Sequence, residues 1–539
     1  MSATAAPQPR LSFNKLAMLL ALVFAVLAGS AMLRTSVTFD EVIFSAVGAR
    51  GFATGDFTMV NDHPRLAQYM YGIPAYLTAD RFPSEETSNW NWYSRYHYAR
   101  ALLWGVGNFP ERIIMSTRLV ALIFGTLTVL GTYWLTRRSL GAGTALLAAA
   151  LLAFLPDLLA QSGVAYNDVP LAFGLLVSVF ALDAAVRDLR PGRVAVAAFA
   201  CALTLCVKYS AVVLGPILVA MLLCEALSGR ARDAAWRRAL TLAVPLFAVI
   251  VYLTIALLYL GDWRLADFFS GLREITRSSL AGRPAFLLGE RNIGGWWYFF
   301  PVAFALKTPV ALHVFMLVAL VAGWRVVRGG RWREWLIHAA RPAVLGAGLF
   351  LGALLASRVN IGVRHALPMM PFLCILLALG VAQVASAGQK ATRLALGAVF
   401  ATYVLSTVTH YPFFLSYLSD YSRGRALHET LVDSSTDWGQ GLVALRSFMR
   451  ERGIEEVALA YFGSALPEGY GIRYVPLPSF LELPPAQSAS SPRYLVISAT
   501  LLTGNYAKGD PYAQLRTVKP MAVVAETMYV FDRMNLVPR

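Results

Sequence analysis

Acidic residues stand near the ends of long apolar segments at two places in the chain. Asp40 and Glu41 follow the apolar stretch 16–33, and Asp168 lies near the start of the stretch 164–186. Ionisable groups at the edge of a membrane span are costly, and they usually face a cavity or one another. The pattern therefore predicts a site that contains Asp40 and Asp168, with a solvated loop as the alternative for the Asp40 and Glu41 pair.

Basic residues occupy comparable positions further along the chain. Lys307 falls within a long apolar stretch, and Arg364 and His365 fall between two others. A lysine near a helix end can also snorkel to the interface, which is the alternative for Lys307. Arginine binds phosphate oxygens in a bidentate manner and lysine binds them as a point charge. Acids on one wall and cations on another would suit an anionic lipid-phosphate donor and a hydroxyl acceptor.

The composition indicates that the elements holding these residues lie in a membrane. Of 539 residues, 57% are hydrophobic and 14% are charged, whereas soluble domains contain about 25% charged residues. The net charge of +16 could indicate a nucleic-acid partner, but no basic stripe with interleaved aromatic residues occurs in a soluble segment. We therefore expect a membrane protein and no nucleic-acid partner.

Eleven apolar stretches are long enough, or nearly so, to cross a bilayer as helices, since a crossing needs roughly 20 residues. Some are short and could be divided differently, so the count is 11–13. The first could be a signal peptide, but its length favours an anchor. The stretches are 16–33, 113–135, 143–161, 164–186, 194–207, 211–228, 239–260, 296–322, 342–357, 366–386 and 393–409.

Lys and Arg concentrate in alternate connections between these stretches, and such connections are normally cytoplasmic. This pattern predicts a cytoplasmic N-terminus. The opposite, extracytoplasmic face then receives the long loops 34–112 and 261–295 and the tail 410–539. The turns that contain Asp168 and Arg364 lie on that same face.

The tail 410–539 alternates between apolar and polar residues and predicts a small α/β or α+β domain outside the membrane. We expect a helix over 440–452 and strands over 456–462, 494–499 and 523–531. The chain thus divides into a membrane module, 1–409, and an extracytoplasmic domain, 410–539.

At these residues the sequence resembles the GT-C superfamily of glycosyltransferases, specifically family 39-like proteins of bacterial type that are related to dolichyl-phosphate-mannose protein mannosyltransferases. The matching blocks occur in the expected order and span about 40–440. They are DE at 40–41, GD at 55–56, HP at 63–64, NDVP at 167–170, GWWYFFP at 295–301, KTP at 307–309, NIGVRHALP at 360–368 and DSSTDWGQ at 433–440.

The resemblance implies a GT-C fold in the bacterial inner or plasma membrane, with catalysis on the extracytoplasmic face. The donor would be a polyprenyl-phosphate-linked sugar, and transfer to a hydroxyl would invert the anomeric carbon. Asp40 would be the general base, Glu41 would orient it, hold the acceptor or help a metal, and Asp168 would be the second acid. The residues that would hold the donor phosphate are Lys307, Arg364 and His365.

Other roles stay open. The acceptor can be a glycan, a lipid or a protein, and the residues expected to contact acceptor or sugar are Asp62, His63, Trp438 and Gln440. The sequence identifies no certain cofactor, and a divalent metal, which some members of the superfamily use, stays open as an alternative. Its ligands here would be Asp40, Glu41, Asp62, His63 and Asp168. The alternative function is a transporter or flippase of lipid-linked or polar substrates, but the sequence shows no repeated pair of Gly/Pro-interrupted spans.

Overall fold

The computed structural model describes residues 12–84, 91–330, 340–481, 491–506 and 509–536. It consists mostly of helices, with a small sheet near the C-terminus. The predicted fold class, a helical polytopic membrane protein with a small C-terminal α/β region, is confirmed.

Within the described ranges, eight helices are long and apolar enough to cross a membrane. Three shorter apolar helices, Ala142–Ala153, Pro191–Leu205 and Arg341–Leu355, correspond to three more of the predicted stretches. The eight are Phe13–Met32, Pro110–Leu140, Asp168–Arg187, Tyr209–Leu227, Ala234–Leu258, Val310–Arg328, Val363–Ala387 and Lys390–Val408.

The predicted crossing 296–322 is not one helix. It divides into Phe299–Lys307 and Val310–Arg328, and Thr308 between them is extended. Pro309 causes the break, because proline lacks an N–H group and disfavours helical geometry in the residue before it. Lys307 is consequently the last residue of a short helix.

The first long loop contains three helices that lie outside the spans: Glu41–Thr54, Arg65–Thr78 and Trp92–Arg100. The first two cross at Gly48 and Gly72, where a Cβ atom on Gly48 would lie 2.0 Å from the Gln68 carbonyl oxygen. Two glycines are therefore needed for this contact. Because it fixes the helix that begins at Glu41, the contact also fixes the position of Asp40.

The C-terminal region forms a five-stranded sheet in the order β4-β3-β5-β7-β6. The strands β4, β3 and β5 are parallel, whereas β7 is antiparallel to β5 and to β6. The helix Leu442–Glu451 precedes the sheet. The strands are Glu456–Ala460 (β3), Arg473–Pro476 (β4), Tyr494–Ser498 (β5), Ala522–Val524 (β6) and Met528–Asp532 (β7), and a separate hairpin of Ala285–Leu287 (β1) and Glu290–Asn292 (β2) lies in the second long loop.

Two predictions about this region were wrong in detail. The single strand expected over 523–531 is a hairpin of β6 and β7, because Ala525 and Glu526 adopt positive φ angles of 52° and 62° and reverse the chain. The strand β4 was not predicted. It is short and does not alternate strongly between buried and exposed residues, so no period of two marks it in the sequence.

The C-terminal region and the first long loop are packed as one unit. They share a hydrophobic cluster that includes Val42, Tyr71, Trp438 and Leu445. The backbone N–H of Phe39 also donates to the Trp438 carbonyl oxygen at 2.8 Å. The segment immediately before Asp40 is therefore anchored to the C-terminal region.

A fully buried ion pair joins this unit to the membrane helices. The Arg118 guanidinium donates to both carboxylate oxygens of Glu41, at 2.6 and 2.9 Å. It also donates to the Met32 and Ser36 carbonyl oxygens, and Glu41 accepts from the Ala165 N–H. One pair thus connects the end of the first span, the start of the Asp40 helix and the segment before Asp168.

We expect Glu41→Gln to lower the free energy of unfolding by about 3–5 kcal/mol, because the substitution leaves the buried Arg118 charge without its counter-ion. The thermal unfolding midpoint of the purified protein in detergent measures the effect. The matched control is Glu455→Gln, which removes an acid from the largely exposed pair with Arg473. Equal losses in the two variants would contradict a structural role for the Glu41 pair.

Candidate active site

A cavity of about 840 Å³ lies between the membrane helices and the C-terminal region. Part of its lining is a cluster of charged residues around Arg364, here called the polar end, and part is apolar. The apolar part includes Val212, Leu272, Ile275, Phe350 and Leu354, which belong to membrane helices and to the helix Ala266–Ala281. The charged or titratable residues of the lining are Asp40, Asp62, His63, Arg95, Asp168, Lys208, Arg283, Arg364, His365 and Asp433, together with tyrosines.

Arg364 lies at the centre of the polar end. Its guanidinium donates to Asp40 Oδ2 at 3.2 Å and to Asp168 Oδ2 at 3.4 Å. The guanidinium carbon lies 4.3 Å from the Tyr166 ring centroid and 4.1 Å from that of Trp438. Arg364 therefore brings together residues from the first loop, a membrane helix and the C-terminal region, as expected if these residues form one site.

Asp40 is the more accessible of the two predicted acids. It precedes the helix Glu41–Thr54, but its carboxylate does not cap that helix. The carboxylate instead accepts a hydrogen bond from the Tyr96 hydroxyl at 3.0 Å and remains 29% exposed. Burial and the Asp40 charge raise the pKa of Tyr96 far above its usual value, so the hydroxyl remains a donor. Asp40 can therefore contact a ligand in the cavity.

Asp168 is almost completely buried, with 1% of its side chain exposed. It accepts from the Lys208 ammonium at 2.5 Å and also from Arg364. The helix Asp168–Arg187 begins at this residue, where a negative charge is favourable near the helix N-terminus. Asp168 is thus suited to holding two cations in place, and it has little surface left for a ligand.

Lys208 is a residue of the site that sequence reasoning missed. Its ammonium lies 2.5 Å from Asp168 and 5.4 Å from the Tyr166 ring centroid, and it lines the cavity. The available signal was its position, since Lys208 is a single basic residue in a short turn on the same predicted face as Asn167. The sequence alone does not show that the two turns touch.

Two histidines line the same end of the cavity. His365 Nε2 is buried and has no hydrogen-bond partner in the described part of the chain. His63 Nδ1 lies 3.4 Å from the Asn167 amide nitrogen. Burial lowers the pKa of His63, so its imidazole is neutral and accepts this hydrogen bond at Nδ1. Asp62, the preceding residue, pairs with Arg95 at 3.3 Å.

Lys307, which was expected to contact the donor phosphate, lies outside the cavity lining that contains Arg364 and His365. It is fully buried, pairs with Asp157 at 3.3 Å and donates to the Leu415 carbonyl oxygen at 2.7 Å. Its carboxylate partner lies 150 positions earlier in the chain, in a segment to which the sequence analysis assigned no function. A lysine of this kind balances a buried carboxylate, and its ammonium is already engaged.

Glu41 and Gln440 also lie outside the cavity lining. The Glu41 carboxylate forms an ion pair with Arg118. The Gln440 side chain bonds to its own segment, since it accepts from the Trp438 N–H and donates to the Thr436 carbonyl oxygen. Trp438 does line the cavity, but it is 2% exposed and Arg364 stacks on its ring. Its position agrees better with support of Arg364 than with a sugar contact.

The five residues considered as metal ligands do not fit a metal. Across the described ranges, no group of three or more His, Cys, Asp or Glu side chains converges on one point. A basic side chain instead engages each of the four acids: Arg364 pairs with Asp40, Arg118 with Glu41, Arg95 with Asp62, and Lys208 with Asp168. No step is therefore assigned to a metal.

Two more buried acids come from the block at 433–440. Asp433 lines the cavity, has a φ angle of 61°, and accepts from the Tyr506 hydroxyl at 2.5 Å. Burial raises the pKa of Asp433 to about 6. Asp437 accepts from the Thr500 N–H at 2.8 Å, while its Oδ1 is buried without a partner among the described residues, and burial raises its pKa to about 7.

The raised pKa of Asp437 predicts a pH-dependent stability. The folded state favours the protonated carboxyl, so its stabilising contribution is present below the usual pKa of 3.8 and is lost as the pH rises through about 7. We expect Asp437→Asn to raise the thermal unfolding midpoint at pH 8 and to change it much less at pH 4. Asp532→Asn is the control, because that carboxylate pairs with Arg493 and has a lowered pKa. An equal effect of Asp437→Asn at both pH values would contradict the assignment.

Part of the membrane module matches a known protein family. Residues 101–254 match the family described as Dolichyl-phosphate-mannose-protein mannosyltransferase. No curated protein matches the chain.

Several solved structures resemble the chain at low sequence identity. ArnT from Cupriavidus metallidurans, bound to undecaprenyl phosphate, is 15% identical, with 95% of this chain and 97% of that chain covered and a TM-score of 0.48. The archaeal oligosaccharyltransferase AglB from Archaeoglobus fulgidus, in complex with an inhibitory peptide and a dolichol-phosphate, is 12% identical, with coverages of 73% and 55% and a TM-score of 0.48. The arabinosyltransferase EmbB from Mycobacterium smegmatis is 17% identical, with coverages of 76% and 34% and a TM-score of 0.40.

The family match extends from the second predicted crossing into the seventh, which it covers as far as residue 254. It includes Asp168 and Lys208 of the cavity. The resemblance inferred from the sequence motifs is therefore confirmed over residues 101–254, which carry the sequence features of dolichyl-phosphate-mannose-protein mannosyltransferases.

Proposed function

We propose that this protein transfers a sugar from a polyprenyl-phosphate-linked donor to a hydroxyl acceptor on the extracytoplasmic face of a bacterial inner or plasma membrane. The observation that carries the proposal is the composition of one cavity. An accessible carboxylate, Asp40, lines the same cavity as Lys208, Arg364 and His365. The apolar part of the lining, here called the apolar extension, comes from membrane helices and from the helix Ala266–Ala281.

The apolar extension suits the hydrocarbon chain of the donor. Its lining comes from the helices Tyr209–Leu227 and Arg341–Leu355 and from the helix Ala266–Ala281. The last of these is amphipathic, with Phe268 buried and Phe269 exposed, as expected for a helix at a membrane interface. A lipid could thus lie with its chain between helices while its phosphate reaches the polar end.

Lys208 and His365 are the proposed phosphate ligands, together with Arg364. The Lys208 ammonium has three donors and uses one of them for Asp168, while His365 Nε2 is buried without a described partner. Lys208 therefore takes the role that the sequence analysis gave to Lys307. Asp168 is a positioning residue in this scheme, because its carboxylate holds both Lys208 and Arg364.

Asp40 is the proposed general base. Its carboxylate removes the proton from the acceptor hydroxyl while that oxygen attacks the anomeric carbon of the donor sugar. The bond between this carbon and the phosphate oxygen breaks, and the departing polyprenyl phosphate takes the bonding electron pair. Lys208 and Arg364 stabilise the negative charge that develops on the leaving phosphate. A single displacement of this kind inverts the anomeric carbon and needs no nucleotide.

The charge distribution supports the extracytoplasmic location. Asp168 and Asp183 stand near opposite ends of one span, about 22 Å apart at 1.5 Å per helical residue. Asp183 pairs with Arg187 and Arg341 at an end where Lys and Arg are frequent. The positive-inside rule assigns that end to the cytoplasm. The cavity then opens on the other side.

We expect Asp40→Asn to reduce sugar transfer by about 10²–10⁴-fold, because the proton acceptor is lost, without weakening the binding of undecaprenyl phosphate, because Lys208, Arg364 and His365 remain. Protein in nanodiscs is assayed separately with radiolabelled undecaprenyl-phosphate mannose and undecaprenyl-phosphate arabinose, and product binding is measured by titration. Asp80→Asn is the control, because Asp80 is an exposed acid of the same loop. Full transfer by Asp40→Asn would remove Asp40 from the role of base.

We expect Lys208→Met to weaken binding of undecaprenyl phosphate about tenfold or more, because a charge-assisted contact contributes about 1.5–3 kcal/mol. The dissociation constant is measured by titration into nanodiscs, with Lys390→Met as the control because Lys390 is exposed at the predicted cytoplasmic end. Unchanged affinity in Lys208→Met would exclude Lys208 as a phosphate ligand.

A further inference from the structure

Four aromatic rings form a continuous group on the side of the cavity that faces the C-terminal region. Phe462 stacks on Phe39 with a centroid distance of 5.1 Å and on Tyr506 with a distance of 5.0 Å. Phe480 lies 5.8 Å from Phe39 and 5.3 Å from Tyr506. All four line the cavity, and we call them, together with Asp433, the roof patch.

The members of the roof patch differ in exposure. Phe39 and Phe462 are 5% and 4% exposed and lie behind the others, whereas Phe480 is 43% exposed and Tyr506 is half-buried. Two supported rings are therefore presented to the cavity. They come from two separate segments of the C-terminal region, so this surface exists only in the folded chain.

A carboxylate is fixed beside these rings. Asp433 accepts from the Tyr506 hydroxyl through Oδ2 and from the Ser434 N–H through Oδ1, at 2.5 Å in each case. Its φ angle of 61° is unusual for a residue other than glycine. Backbone strain of this kind persists where the surroundings hold a residue in place, and it is concentrated at ligand sites.

We propose that the roof patch is the acceptor subsite and that it binds a carbohydrate, so that the acceptor hydroxyl belongs to a sugar ring. This inference rests on the proposed function and narrows its acceptor to a glycan or the glycan part of a glycolipid. The C–H face of a sugar ring packs on Phe480 and Tyr506, and its hydroxyls donate to Asp433.

The position of the patch agrees with the chemistry of the transfer. Phe39 is the residue immediately before Asp40, so an acceptor that contacts the patch lies next to the proposed base. The proposed phosphate ligands Lys208 and His365 line the same cavity, and they lie next to or within the membrane spans Tyr209–Leu227 and Val363–Ala387. The donor would therefore contact the membrane module and the acceptor the roof patch, with Asp40 lining the cavity between them in the proposed reaction.

A peptide acceptor fits the lining less well. Extended peptides are commonly bound by pairing with an exposed strand edge. None of the cavity-lining residues in the described ranges belongs to a β-strand. Aromatic rings beside a carboxylate offer instead an apolar face and a hydrogen-bond acceptor, which are the two features that a sugar ring complements.

Saturation-transfer NMR on the full chain in nanodiscs tests the proposal. The probes are methyl α-mannopyranoside, methyl α-arabinofuranoside and mannotriose, each at millimolar concentration with undecaprenyl phosphate present, and a blocked Ser/Thr-rich peptide. We expect saturation of sugar ring C–H protons in the wild type, reduced at least fivefold in Tyr506→Leu and in Asp433→Asn. Asparagine tolerates positive φ, so the second variant keeps the backbone while it removes the charge.

The matched control is Tyr494→Leu, which removes a tyrosine of the same region that lies outside the cavity lining. Three outcomes would each overturn the carbohydrate subsite. The peptide protons are saturated and the sugar protons are not, no sugar shows saturation in the wild type, or Tyr506→Leu shows the same saturation of the sugar protons as the wild type.

Binding of undecaprenyl phosphate to the same samples separates this inference from the proposed function. Retained lipid binding in both roof-patch variants, together with the reduced saturation of the sugar protons, supports the two proposals together. Retained lipid binding with undiminished saturation of the sugar protons overturns the subsite alone. Failure of the wild type to bind undecaprenyl phosphate overturns the proposed function, and the acceptor subsite with it.

Discussion

The arrangement of the cavity depends on one buried cation. Arg364 is buried and shielded from bulk water, so its charge has to be balanced by neighbouring groups. Asp40 and Asp168 provide the negative charges. The rings of Tyr166 and Trp438, which pack edge to face on each other, both contact the guanidinium. Because these partners come from distant parts of the chain, pairing one charge assembles the first loop, a membrane helix and the C-terminal region around a common space.

The C-terminal region is therefore part of the site and not an independent appendage. The first long loop shares its hydrophobic cluster, and the Phe39 N–H bonds to the Trp438 carbonyl oxygen one residue before Asp40. The buried pair of Glu41 and Arg118 then joins this unit to the membrane helices. Adjacent acids consequently have different surroundings. The Asp40 carboxylate lines the cavity, whereas the Glu41 carboxylate is buried in an ion pair with Arg118.

The lengths and hydropathy of the apolar stretches predicted the positions of most membrane helices. The apolar stretches correspond to helices, but two of them are divided: 296–322 at Pro309, and 143–161 into Ala142–Ala153 and Pro156–Gln161. The motif residues Asp40, Asp168, Arg364 and His365 do line one cavity. The sequence could not show which of two lysines, Lys307 or Lys208, lines the cavity. Both are single lysines near helix ends, and what distinguishes them is the carboxylate that each meets in the fold, Asp157 for Lys307 and Asp168 for Lys208.

The sequence by itself determined that the chain belongs in a membrane and where its apolar helices lie, because both properties follow from local hydropathy. Only the tertiary structure decided which charged side chains form buried structural ion pairs and which line the cavity. That decision depends on contacts between residues as far apart as Asp40 and Arg364, since the cost of a buried charge is set by its neighbours in space and not by its neighbours in the chain.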